Sequence, residues 1–362
     1  MSLLTLNVED CMMDISPVII KEESKEEPSS DNQANYLNSN FEYIKLLSQS
    51  LYGNVHLMFD QLNRCYVVNK VSNKHKAIHK QYGNNNIAED VIKEAHILYY
   101  IQTYKLKIKG ISEYIGFIET YNDYNTITKY HEGVELIEFI SDFKDKNNNR
   151  MILENEIRII FKQLIETVAN LHSYGIIHGD LSCENIMIDS KYTVTLIDFG
   201  VAQMHHITCN AMNVDSKLVS CQENIAENTT LKKFKFNPST LSFGKTGYIS
   251  PEQYQGLPFD GYKNDIFALG QILFTLSTFN NCYLIPDNTD KWFKVMISGN
   301  WLKSSSIKNG EYGKRYNHLS DNLLDLINRL IKFEKDRITI DEILLHPWWG
   351  VEGLRPFQSS NT

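Results

Sequence analysis

The chain has 362 residues, 42% hydrophobic and 22% charged, enough for one large or two modest domains with an ample core. A formal net charge of -8 argues against nucleic acid as the main partner, because neutralising phosphates needs a basic face. No run approaches the roughly 18 to 20 apolar residues of a membrane span; the six cysteines form no CxxC pair, so a zinc site and membrane insertion are not expected, and a reducing, cytoplasmic (or nuclear) setting is.

Residues 1–40 read as a disordered acidic extension. The opening apolar stretch lacks a basic flank and is interrupted by Glu9, Asp10 and Asp14, unlike a signal peptide. Positions 21–40 are rich in charge, Ser and Asn without periodicity. From about Phe41 the pattern changes. Segments 43–71 and 113–131 alternate apolar and aromatic residues between Asn/Gly turns, which predicts strands. Between them, 88–101 has helical spacing. Beyond Glu135 the periodicity predicts helices at 154–172, 265–277 and 319–332, with a strand-like piece at 192–197. Strands first and helices later imply an α+β protein with a small β-rich lobe and a larger α-helical lobe. The polar, aperiodic stretch 204–243 is a loop, functional or disordered.

The chemistry concentrates in His178-Gly179-Asp180-Leu181-Ser182-Cys183-Glu184-Asn185, followed by an apolar strand and Asp198-Phe199-Gly200. An HxD tripeptide alone is weak. HxDLxxxN followed by DFG at this spacing resembles the catalytic core of the eukaryotic protein kinase family. The HxDLSxEN form is similar to divergent serine/threonine kinases of apicomplexan parasites. The resemblance implies the two-lobed protein kinase fold, with one αC helix in the small N-lobe, ATP as phosphate donor and Mg2+ (or Mn2+) as metal. Carried over, Asp180 is the catalytic base, and Asn185 and Asp198 are metal ligands.

Other landmarks follow by position. Lys70, in Val67-Val68-Asn69-Lys70, would bind the α/β-phosphates, although a lone lysine after valines is more often a strand-end charge. Glu94, on the 88–101 helix, would pair with it, and Leu98 would pack toward Phe199 and His178. Ser250-Pro251-Glu252 matches the peptide-docking segment, Arg337 would pair with Glu252, and Asp265 would support the catalytic loop. In Thr126-Ile127-Thr128-Lys129-Tyr130-His131, Thr128 would be the gatekeeper, and the backbones of Lys129 and His131 would face adenine. Val55, Val68 and Met187 would sandwich the ring, and Glu135 would contact ribose. The match spans about 41 to 349. It sets the domain at 41–350, with an N-lobe to 131, a C-lobe from 132, an activation segment at 198–252 and a short tail at 351–362.

Three departures stand out. The glycine loop aligns with Ser48-Gln49-Ser50-Leu51-Tyr52-Gly53-Asn54-Val55. Only Gly53 and Val55 survive, so Ser48 and Ser50 would loosen phosphate contact. This keeps open a catalytically weak scaffold as the alternative to an active enzyme. Ser182 stands where serine/threonine kinases carry a lysine, and Lys245 stands where they carry a threonine. The expectation is an exchange, with Lys245 supplying the cation and Ser182 the hydroxyl. A solvated loop charge is the plainer reading of Lys245. Tyr248-Ile249-Ser250-Pro251-Glu252 favours serine/threonine over tyrosine specificity, with protein substrates and a monomeric enzyme expected. Glu135 and Glu184 align with positions that meet substrate arginines. Ser239, Thr240 and Thr246 are candidate phosphosites.

Gly179 replaces an arginine that in many members grips a phosphorylated activation-segment residue. A phosphate switch needs a cation. Phosphatase treatment is therefore expected to leave activity unchanged. Loss of activity on dephosphorylation, restored by phosphorylating one activation-segment residue, would overturn this reading.

Overall fold

In the computed structural model, residues 37, 39–79, 81–82, 85–86, 89–146, 151–204, 235–236, 244–299 and 319–350 are described. Alternation in the first part of the chain produces five antiparallel strands, β1 (Phe41–Gln49), β2 (Gly53–Asp60), β3 (Cys65–Asn73), β4 (Tyr114–Glu119) and β5 (Asp123–Lys129), in the order β1-β2-β3-β5-β4. Side chains alternate between sheet faces. Phe41, Met58, Val67, Ile118 and Ile127 pack together on one face. The registers Val55↔Lys70↔Thr126 and Val68↔Thr128 place these five residues on the opposite face. One sheet thus separates a small apolar cluster from a cleft wall.

A short helix, α1 (Lys74–His79), follows β3, and α2 (Val91–Thr103) crosses the cleft side of the sheet. Helical spacing predicted a start at 88. The helix begins at Val91 because Asp90 caps it, its side chain accepting from the amide of Lys93. Ala95, Ile97, Leu98 and Ile101 bury the inner face.

The larger lobe contains α3 (Leu136–Lys146), α4 (Glu154–Ser173), α5 (Pro251–Tyr254), α6 (Gly261–Thr278), α7 (Lys291–Ser298), α8 (Asp321–Leu330) and α9 (Ile340–Leu344). Helix α6 is buried from Asn264 to Thr278, its run of apolar residues from Ile266 to Leu269 and from Ile272 to Phe274 facing neighbours on every side. It starts before the predicted 265 because Asp260 caps the amides of Tyr262 and Lys263. Helix α8 is shorter than 319–332. Ser320 caps its start, and Ile331 leaves helical geometry at ψ 73°. The strand-like 192–197 segment contributes β7 (Val194–Leu196), paired with β6 (Ile186–Ile188). Within the long polar loop, Lys235–Phe236 pairs antiparallel with Phe259–Asp260. Most of the 1–40 extension, Ser239, Thr240 and the 351–362 tail lie outside the described residues. Thr246 is exposed.

The expected ion pair of the large lobe is present. Arg337 donates from Nη2 to Glu252 Oε2 (2.8 Å), from Nη1 to Lys263 O (2.7 Å) and from Nε to Lys332 O (2.9 Å). Glu252 Oε1 accepts from the amide of Glu334 at 2.7 Å. The Arg337 side chain is 1% exposed and stacks over Phe267 at 4.8 Å. Removing one member leaves a buried charge without its counter-ion. Arg337→Ala is expected to lower unfolding free energy by about 3–5 kcal/mol in urea titrations. Lys129→Ala, which breaks the exposed pair with Glu113, is expected to cost under about 1 kcal/mol.

Candidate active site

Between α4 and β6 the chain turns through the HxDLxxxN segment, and α6 holds that turn. Asp265, 1% exposed, accepts from the amides of His178 and Gly179 at 2.9 Å each. His172 Nε2, on α4, lies 2.9 Å from the same carboxylate. Gly179 has φ +81°, a left-handed conformation that glycine adopts without strain. Gly244 (φ +82°) packs on it directly. A β-carbon on Gly244 would lie 3.3 Å from Gly179 O and 2.8 Å from Ile249 Cγ2. The end of the activation segment therefore meets the catalytic loop backbone to backbone.

Asp180 Oδ2 accepts from Asn185 Nδ2 at 2.9 Å, and the same amide nitrogen bonds Asp180 O at 2.8 Å. Asp180 Oδ1 is buried without a hydrogen-bond partner. Burial raises the Asp180 pKa, opposed by the charges of His178 and Lys245. Lys245 Nζ donates to Ser182 Oγ at 3.1 Å and lies 3.5 Å from Glu184 Oε1. The two residues read from sequence as exchanged partners are thus in contact beside Asp180.

Across the cleft, Lys70 Nζ donates to Glu94 Oε2 (3.1 Å) and Asp198 Oδ1 (2.9 Å) and pairs with Glu89 Oε1 (3.1 Å). Burial works against the Lys70 charge, but Asp198, Glu94 and Glu89 outweigh it and hold the ammonium well above the usual lysine range. Burial pushes the Glu94 carboxyl up to about 7 against the pull of Lys70. Burial acts on Asp198 in the same direction, yet Lys70 and the amide of Gly200 bring it below the ordinary aspartate value. Glu94 Oε1 also accepts from the amide of Phe199 (3.2 Å), tying α2 to the DFG segment. Phe199 is fully buried, edge-on to His178 at 4.9 Å, in the same core as Leu98. Asp198 itself has φ +62°, a left-handed conformation uncommon outside glycine, and its Oδ1 accepts from the amide of Gly200 at 3.2 Å.

The glycine-loop positions form the β1–β2 turn. Ser48 faces Val55 across the pair, and Ser50 N bonds Gly53 O at 2.9 Å. Gly53 has a structural reason to be glycine: a β-carbon there would lie 2.3 Å from Val71 O. Ser50 Oγ is buried and without a partner. Val55 and Val68 are half-buried on the cleft face, with Thr128 opposite Val68. Lys129 ends β5, its side chain paired with Glu113. His131 Nδ1 lies 3.4 Å from Thr195 Oγ1, and burial, with Lys129, lowers its pKa. From the lower lobe, Met187 pairs with Glu135, which links this wall to the catalytic loop. Burial raises the Glu135 pKa, and nearby Glu184 adds to it.

Sequence reading did not single out Glu89 or Tyr52. Tyr52 is 1% exposed, and its hydroxyl donates to Glu89 O at 3.0 Å. The Glu-Asp pair before α2 was the available signal. Extending the helix back to 88 placed Glu89 inside it rather than at the cleft.

The residues fit a nucleotide with a divalent cation. Asp198 and Asn185 offer hard oxygens, too few to enclose a cation alone but suited to one also held by phosphates. Ser50 Oγ and Asp180 Oδ1 are buried polar atoms that lack a protein partner.

This is the arrangement of a phosphotransferase of the protein kinase type. The protein kinase domain family matches residues 41–349, and the chain belongs to that family. It is 26% identical over 314 residues to the serine/threonine-protein kinase PSK2 of Saccharomyces cerevisiae, covering 86% of this chain and 24% of that one. It is 26% identical to ppk6 and to cds1 of Schizosaccharomyces pombe, both serine/threonine-protein kinases, over 92% and 89% of this chain. The chain spans 24%, 38% and 61% of the lengths of these three relatives.

A carboxylate in the role that the family resemblance gives Asp180 must be ionised to accept a proton. Because its pKa is raised, the acid limb of the kcat–pH profile is expected above an ordinary aspartate, about 3.9. Activity is present above that limb and lost as pH falls through it. Lys245→Met removes a charge that opposes the rise, so its limb is expected at still higher pH. A limb unmoved in the variant would disconnect Lys245 from Asp180.

Proposed function

We propose that the chain is an active serine/threonine protein kinase in which Lys245 and Ser182 have exchanged their usual roles around Asp180. The observation that carries this reading is the 3.1 Å contact from Lys245 Nζ to Ser182 Oγ beside a base with one unpartnered oxygen. Bound ATP with magnesium or manganese supplies the transferable phosphoryl group and the charge that neutralises it. Lys70, oriented by Glu94, would hold the α/β-phosphates, and Asn185 and Asp198 would hold the metal. Val55, Val68 and Met187 would close on the adenine, with the backbones of Lys129 and His131 and the gatekeeper Thr128 along its edge and Glu135 toward ribose. Asp180 Oδ1 would accept the substrate hydroxyl's proton as its oxygen bonds the γ-phosphorus, the bridging bond to the β-phosphate breaking and ADP leaving with that electron pair. Lys245 places a cation where negative charge accumulates, the largest lever available to a positioning enzyme. Ser182 anchors that cation.

The scaffold alternative rested on the degenerate glycine loop. Against it, Lys70, Glu94 and Asp198 are joined in one hydrogen-bonded group, and Asn185 donates to Asp180 in a second. At Gly53 the glycine answers to Val71 O, so nucleotide affinity need not follow the glycine count. Protein substrates with basic residues upstream of the phosphosite would meet Glu135 and Glu184, although Lys245 already pairs with Glu184. We also propose a monomer in a cytoplasmic or nuclear setting; a reducing compartment suits the free thiols of Cys65, Cys183 and Cys282 among the described residues. Among the described residues no helix is long and apolar enough to cross a membrane.

A positional-scanning peptide library tests the proposal. The wild type is expected to phosphorylate Ser/Thr peptides with upstream Arg or Lys enriched. Asp180→Asn should fall about 10²–10⁴-fold, and Lys245→Ala at least about tenfold. Full turnover in Lys245→Ala would sink the exchange. A wild type no faster than Asp180→Asn would leave the scaffold reading.

A further inference from the structure

Lys70 carries one positive charge and contacts three carboxylates, two of which have evident work. Glu94 also accepts from the amide of Phe199 and so couples α2 to the DFG segment. Asp198 turns its oxygens toward the cleft, with 41% of its side chain exposed. Glu89, at 3.1 Å from Lys70 Nζ, is a surplus partner. It precedes the helix cap Asp90, whose amide donates to Gly200 O at 2.8 Å. Its side chain lies over the DFG glycine: a β-carbon on Gly200 would be 2.7 Å from Glu89 Cγ and 3.1 Å from Asp198 Oδ1. The carboxylate therefore sits between Lys70 and the DFG turn.

Tyr52 secures it from above. The glycine-loop tyrosine turns inward to 1% exposure, and its hydroxyl donates to the carbonyl of Glu89 at 3.0 Å. Its own carbonyl accepts from the amide of Asn73 at 3.0 Å, pinning the loop to the end of β3. Loop, α2 entrance and DFG turn thus meet at one residue. A phosphate oxygen that reaches Lys70 has to replace a carboxylate there, and an anion added beside all three would face net negative charge.

We propose that Glu89 is an internal stand-in for phosphate, an affinity-setting residue that nucleotide displaces from Lys70, with Tyr52 as the latch that holds it in place. The proposal rests on the nucleotide site described above and concerns binding only. Glu89→Gln keeps the shape and removes the charge. Tyr52→Phe keeps the ring and removes the hydrogen bond.

Titration calorimetry of the full chain with ADP and magnesium tests it. Glu89→Gln is expected to lower Kd about tenfold, the worth of one charge-assisted contact. Tyr52→Phe is expected to lower Kd by a smaller factor. An unchanged or higher Kd in Glu89→Gln overturns the proposal, and so does absence of binding in both wild type and Glu89→Gln. Glu94→Gln, which removes a different partner of Lys70, is expected not to tighten binding; equal tightening there would show a general charge effect and overturn the assignment to Glu89. Because ADP binding is read without turnover, an inactive protein with the expected shift in Kd would refute the kinase reaction and leave this proposal standing.

Discussion

The carboxylate of Asp265, 1% exposed on α6, accepts from two consecutive backbone amides of the catalytic loop and faces the ring of His172. A buried carboxylate is tolerable only with such partners, and the loop amides find no comparable acceptor elsewhere. The bonds fix the backbone at His178 and Gly179. Asp180 follows directly and Asn185 closes on its carboxylate, so Asp180 is positioned from α6 through the loop backbone. Helix α6 is buried along most of its length, which seats this anchor in the core of the lobe. The Arg337–Glu252 pair fastens the end of the activation segment to the same lobe.

The upper half of the site is organised by charge. Three carboxylates around one ammonium join β3, the α2 entrance, α2 itself and the DFG segment. Three anions surround the ammonium that a phosphate would have to reach, so the contacts that hold Lys70 compete with an incoming anion. The same logic accounts for the loop above. Tyr52 replaces solvent beneath a turn whose glycines are largely gone, and gives the turn a packed floor.

The lower half pairs residues from two segments. Without a lysine in the catalytic loop, a cation arrives from the activation segment and bonds the serine that stands in its place. Without an arginine at 179, the backbone adopts a left-handed turn on which Gly244 rests at van der Waals distance. A β-carbon on Gly244 would lie 2.8 Å from Ile249 Cγ2 and 3.3 Å from Gly179 O, so the segment that carries Lys245 has little room for a larger residue there.

The sequence alone determined the fold class and named the candidate site residues, because these depend on periodicity and on motifs whose spacing is local. It placed Lys70 with Glu94, Ser182 with Lys245 and Arg337 with Glu252 only through resemblance to a family, and these contacts are all present. Element ends were less legible. Capping by Asp90, Asp260 and Ser320 moved three helix starts, because a cap is decided by side-chain hydrogen bonds rather than by apolar spacing. Only the tertiary structure brought Glu89 to Lys70 and Tyr52 to Glu89. Those contacts join residues from a turn, a strand and a helix entrance that lie far apart in the chain, and no local pattern encodes which acid a buried lysine will meet.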